Sequence, residues 1–255
     1  MKTEIYIATH KKFNLKKREG FIPIQVGAAL SCEDHTFQGD NTGDNISEKN
    51  KNYCELTAIY WMWKNVKVDN IGLCHYRRYL SKKETFFDTQ KYFLTIQDIE
   101  HSLQDCDIIL PEKNVWKECT CLEFFCTVGI GKKKDMEILR GIVQEKYPEY
   151  LGTYDNVMNG HEASYCNVMI TSKEKFDAYC EWLFDILFEL EKRIDISEYK
   201  TVLEARVYGF ISELLLNVWV KHNQLNVMYY PLINVEKNYY RIRKIRELAK
   251  AILGK

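Results

Sequence analysis

The sequence predicts an α/β domain: a mainly parallel mixed sheet flanked by helices, with a helical C-terminal part. Two observations lead there. Short apolar runs rich in Ile, Val and Tyr alternate with longer segments of helical periodicity, the pattern of strand-helix units folding onto one sheet. The length, 255 residues at 46% hydrophobic and 28% charged, suits one large core and is short for two. The domain is expected to span 1–235, with a separate basic, amphipathic helix over 236–255.

Taken in order, residues 4–9 alternate in polarity and are rich in Ile and Tyr, a first strand ending at His10. Residues 22–30 contain Pro23 and Gly27 and read as a loop holding a short strand. The stretch DNTGDN at 40–45 is turn chemistry, and Ser47 is placed to cap the next helix. Over 53–66, Leu56, Ile59, Tyr60 and Trp63 recur at helical spacing. A strand over 70–74 then delivers His75, Tyr76, Arg77 and Arg78 to its carboxyl end. Further helices are expected over 95–103, 133–146, 173–192 and 204–222, and strands over 107–110, stopped by Pro111, and 166–171. Ile186, Leu187, Leu190 and Ile194 form a core stripe, and Trp61, Trp63, Trp182 and Trp219 fall on apolar helix faces.

Composition excludes some functions. Thirty-six basic residues balance thirty-six acidic ones, which argues against a surface built to hold nucleic acid. The charge is nevertheless segregated, since 237–255 carries seven Lys or Arg against Glu247 alone. Nine cysteines lack the repeated CxxC spacing of a zinc site and read as reduced, mostly buried small hydrophobes; Cys119, Cys121 and Cys126 lack a fourth ligand of suitable spacing. The first residues turn basic after a short apolar run, unlike a signal peptide, and no run reaches the ~18 apolar residues of a membrane span. The expected location is the cytosol.

Four blocks carry something more specific: IPIQVGAA at 22–29, TGDNISEKN at 42–50 running into YCELT at 53–57, IGLCHYRRY at 71–79, and EARVYGFISE at 204–213. In order and spacing they resemble the capsular and exopolysaccharide biosynthesis glycosyltransferases long catalogued as a domain of unknown function. That resemblance runs from about residue 4 to about residue 235. It implies a GT-A-like, Rossmann-like fold and transfer of a hexose, galactose or galactofuranose by family likeness, from a UDP-sugar to a lipid-linked oligosaccharide. The alternative is a non-catalytic nucleotide-sugar-binding or scaffold protein of the same machinery.

A departing nucleoside diphosphate develops negative charge, so its site must supply a metal ion or fixed cations. Most GT-A-like enzymes place an Asp-x-Asp pair at the strand end where His75, Tyr76, Arg77 and Arg78 stand here. Arg offers a permanent charge and a bidentate fork, so these arginines are expected to take the metal's place. No cofactor is therefore predicted, with Mn²⁺ or Mg²⁺ as the alternative and Asp40 and Asp44 as its candidate ligands. Donor contacts are expected from Gln25, Gly27, Asp44, Asn45, the residues 75–78 and Arg206. The base that takes the acceptor proton is sought among His161, Glu162, Glu204 and Glu213. Arg206 and Glu213 stand seven residues apart on one helix face, as a site pair or a structural ion pair. In the tail, Ile242, Ile245, Leu248, Ala249 and Ile252 form an apolar stripe among cations, either docked on the core or laid against the inner leaflet of the plasma membrane.

Overall fold

The computed structural model describes residues 1–13, 17–32, 37–84, 89–127 and 131–236. The basic tail helix expected over 236–255 therefore lies, but for its first residue, outside the described residues.

Among the described residues nine strands form one sheet. In its parallel part β1 (Thr3–Thr9) is flanked by β2 (Phe21–Gln25) and by β4 (Asn70–His75). The short β3 (Gln38–Gly39) extends the β2 side. It reaches only Ile24 and Gln25, so Pro23, which has no N–H to donate, sits where β2 needs no outer partner. On the other side β9 (Met169–Ser172) runs antiparallel between β4 and β6 (Ile108–Pro111), and β10 (Val227–Tyr230) closes that edge parallel to β6. Two short strands, β5 (Arg78–Leu80) and β11 (Leu232–Asn234), pair antiparallel beyond the end of β4. A separate pair joins β7 (Asn114–Val115) to β8 (Glu162–Ala163).

Strand side chains alternate between two apolar layers, as a period of two demands. Tyr6, Ala8, Ile71, Leu73, Ile108 and Leu110 face the larger layer, and Ile5, Ile7, Cys74 and Ile109 face the smaller. The larger layer is covered by α2 (Leu56–Asn65), α5 (Lys133–Lys146), α6 (Leu151–Met158), α7 (Lys173–Arg193) and α8 (Val207–His222). The smaller is covered by α3 (Ile96–Asp105), whose first turn is fixed by a reciprocal cap between Thr95 and Asp98. The short helices α1 (Asn50–Tyr53) and α4 (Cys121–Thr127) complete the set. The expected core stripe on α7 is buried, as are Trp61, Trp182 and Trp219.

Three expectations are corrected, all beside one end of the sheet. The helix expected over 53–66 is broken at Cys54, which has φ 53° and ψ −131°, so that α1 and α2 are separate. Asn50 causes the break: its Nδ2 donates to the Cys54 carbonyl at 2.7 Å and to Thr57 Oγ1 at 3.1 Å, replacing the helical pairing of that carbonyl. The strand expected from 166 begins at Met169, because Cys166 and Asn167 adopt left-handed φ values of 78° and 50°. Their helix-like turn is held by the Asn167 amide, which bonds Glu55, Gly209 and Ser212. Ser47 caps no helix. Its hydroxyl donates to Asp40 Oδ1 at 2.5 Å and accepts from the Ala29 N–H at 3.1 Å.

Candidate functional site

The parallel strands β1, β2 and β4 all point their carboxyl ends at one cleft of about 280 Å³, the place where open α/β sheets bind ligands. Ala8, Thr9 and His10 line it from β1, Val26 from β2, and His75 from β4. The chain then turns through Tyr76 and Arg77 into β5, with His75 opposite Arg78. The turn is tied on both sides: the Tyr76 N–H donates to the Ala8 carbonyl at 3.1 Å, and the Arg77 carbonyl accepts from the Val235 N–H at 2.9 Å. A fixed hairpin tip thus holds Arg77 and Arg78 at the rim.

Helices α2 and α8 both begin at the cleft wall, which puts the positive ends of two helix dipoles beside the cleft. The broken helix supplies Asn50, Lys51, Cys54 and Glu55, and the start of α8 supplies Arg206. Arg206 Nε lies 3.0 Å from Cys54 Sγ, which joins the two helix starts. Gly209 permits this closeness, since a Cβ there would stand 3.2 Å from Cys54 Sγ. Burial pushes the Cys54 thiol up to about 12. Burial likewise depresses His10, aided by Lys11, Arg77 and Arg206.

Beneath the arginines lies a polar cluster. His75 Nε2 is 2.7 Å from the Cys166 carbonyl and 4.0 Å from Glu55 Oε1. Because a carbonyl can only accept, that nitrogen carries the hydrogen. Burial holds His75 below its ordinary value, so the neutral ring is favoured. Asn167 is the crosspiece: Nδ2 donates to Glu55 Oε1 at 2.9 Å and to the Gly209 carbonyl at 3.0 Å, while Oδ1 accepts from Ser212 Oγ at 3.0 Å. Glu213, one residue on, is pushed up to about 8 by burial and by the charge of Glu55, against the opposing pull of the Cys166 N–H, Arg78 and Arg206.

Of the residues singled out in the sequence, His75, Tyr76, Arg77, Arg78 and Arg206 line this cleft, and Glu213 adjoins its floor. Gln25 and Gly27 flank the lining residue Val26, with the Gly27 N–H turned to Asp40 Oδ2 at 2.9 Å. Asp44 and Asn45 stand elsewhere. The Asp44 N–H and carbonyl bond Asn65 at the far end of α2, about 15 Å from its start for a ten-residue helix. His161 Nδ1 contacts the Cys119 carbonyl at 3.0 Å, and Glu162 pairs with Lys113 at 2.7 Å beside a second cleft of about 510 Å³. Glu204 bonds the N–H groups of Lys200 and Thr201 as a local cap. The alternative metal ligand Asp40 has both oxygens committed to protein donors. Sequence reasoning missed Glu55, Lys51 and Asn167. A single charged residue within the run 53–62 was the available signal for Glu55.

A family model described as a domain of unknown function, DUF4422, matches residues 4–224. A search of curated proteins finds no match. Among solved structures, the chain is similar to the apo form of WbbM, described as a bifunctional glycosyltransferase, at 32% identity and a TM-score of 0.80. The likeness covers 92% of this chain and 45% of that one, so this chain spans about half the length of that relative. The sheet order and the likeness together establish the GT-A-like fold expected from the sequence. By the extent of the family match, the chain belongs to the DUF4422 family.

Proposed function

We propose that this chain is a glycosyltransferase that binds a nucleoside-diphosphate sugar in the cleft and passes the sugar to a hydroxyl acceptor. The observation that carries the reading is the convergence of Lys51, Arg77, Arg78 and Arg206 with two helix starts on one cleft at the strand carboxyl ends. This array can neutralise a diphosphate as it leaves, through fixed charges that need no reorganisation. The likeness to WbbM, a bifunctional glycosyltransferase, supports the same reaction class.

The finer reading follows the motif resemblance: a UDP-hexose donor, galactose or its furanose form, and a lipid-linked oligosaccharide acceptor in capsule or exopolysaccharide synthesis. Contact of 237–255 with an anionic inner leaflet belongs to the same proposal, and flotation with liposomes of anionic lipid tests it.

The direct experiment is a panel of UDP-sugars, each incubated with the full chain and lipid-linked acceptor, with UDP release and product followed together. Turnover of one donor, dependent on acceptor, is the expected result. Tight UDP binding with no turnover of any donor favours the scaffold reading instead.

A further inference from the structure

Besides His10, whose ring stands edge-on to Tyr76 at 5.4 Å and whose basicity burial, Lys11 and Arg77 depress, four groups around the cleft floor could take a proton from an acceptor hydroxyl, and their surroundings separate them. His75 has Nε2 occupied in donating to the Cys166 carbonyl. Cys54 holds its proton, and its sulfur faces Arg206. Glu213 does not line the cleft and sits against the Cys166 N–H. Glu55 differs from all three. It lines the cleft although only 8% exposed; Oε1 is pinned by Asn167, and Oε2 receives no hydrogen bond from any described residue. One oxygen is thus fixed in place, and the other keeps lone pairs that no described donor takes, on a residue that lines the same cleft as the arginines.

We infer that Glu55 is the general base of the transfer, with Asn167 as its positioning residue and Glu213 as the second carboxyl of the same floor. This rests on the transferase reading. In the step, the acceptor O–H bond breaks and its proton goes to Glu55 Oε2. The acceptor oxygen's electron pair forms the bond to the anomeric carbon. The bond from that carbon to the donor phosphate oxygen breaks, and its electron pair leaves on the diphosphate beside Arg78 and Arg206. Glu55 then returns the proton to water once the products depart.

The arrangement also explains why two carboxylates share this floor. The groups that feel the charge of Glu55 are His75 from β4, Cys54 from the helix break, Cys166 before β9, and Arg206 and Glu213 from α8, and Arg78 from β5 acts on His75, Cys166 and Glu213 of the same cluster. With Glu213 protonated, the cluster carries one carboxylate charge against two guanidiniums, which leaves positive charge for the donor diphosphate. Ionisation of Glu213 at alkaline pH cancels it.

The test compares the parent chain with Glu55→Gln and Glu213→Gln, using a UDP-hexose that the parent turns over and UDP itself as the binding probe. Glu55→Gln is expected to lower kcat by at least about 10²-fold, the usual scale of a general base, while UDP affinity by calorimetry stays within about threefold, which also shows that the site is folded. In the parent, the KM for donor is expected to rise above pH 8, and in Glu213→Gln it stays flat there. A Glu55→Gln variant with kcat near that of the parent overturns the assignment, and so does a loss of UDP binding equal to its loss of turnover. A donor KM with the same alkaline rise in both the parent and Glu213→Gln removes the role given to Glu213. A parent chain that binds UDP yet transfers no sugar overturns the transferase reading itself and the assignment with it.

Discussion

Two carboxylates, the buried Asp40 and the half-buried Glu213, show how the donors around an acid, together with its desolvation, decide what it does. Asp40 is fully buried, yet its two oxygens accept four hydrogen bonds: from the Gly27 and Ala28 N–H groups at 2.9 and 3.0 Å, and from the Ser47 and Thr57 hydroxyls at 2.5 Å each. It joins the end of β2 to the start of α2 and has no lone pair to spare. Glu213 has one backbone donor and a second carboxylate beside it, and is held near a proton at neutral pH. Donors aimed at every oxygen make a structural acid; desolvation with too few donors and a like charge makes one that can exchange protons.

The largest expected effect breaks the first of these. Asp40→Ala leaves four donors without their acceptor, at about 1–3 kcal/mol for each buried one, so urea denaturation should show a loss on the order of 4 kcal/mol or more. A loss under about 1 kcal/mol would mean that the donors find other partners. Next comes Arg78→Ala, which leaves the folded state alone and removes a fixed cation from the diphosphate site. Its kcat/KM for the donor should fall by about 10²–10³-fold, and near-parental kcat/KM would contradict the placement.

The third effect concerns Glu213 and has a definite sign. Between the ordinary carboxylate value and about 8, the folded chain holds a proton there that the unfolded chain has released, so stability falls as pH rises through this window. The slope is at most about 1.4 kcal/mol per pH unit. Glu213→Gln removes that slope: denaturation midpoints of parent and variant should agree near pH 4.5 and diverge by pH 8, with the variant the more stable. Midpoints that stay parallel across the range would show that Glu213 ionises as an exposed acid does. The smallest effect is at the rim, where Glu236 pairs with Lys11 at 3.2 Å and Arg77 at 3.3 Å. Exposed pairs contribute little, so Glu236→Gln should leave the urea midpoint unchanged within error.

The fold was largely readable because its core elements follow simple periods. The alternation in β1 and the helical spacing in α5 and α7 place those elements within one or two residues of their observed bounds. The site was readable in part. Arg77 and Arg78 stood out as adjacent charges following an apolar strand, which no core requires. What escaped were the features made by side chains acting on backbone. Asn50 breaks a helix by bonding the Cys54 carbonyl, and Asn167 holds two left-handed residues through partners more than forty positions away. Neither effect has a period, so Glu55 read as one more residue of a long helix rather than as the start of α2. Asp44, by contrast, drew notice as part of an acidic turn, though its partners are Tyr60 and Asn65, in the middle and at the far end of that helix.

A crystal structure of the full chain with UDP tests the central claim most directly. The diphosphate is expected within hydrogen-bond distance of Arg78 and Arg206, at the mouth of the cleft whose floor is formed by Glu55. UDP seated instead in the second cleft, beside Glu162 and Tyr229, would contradict it.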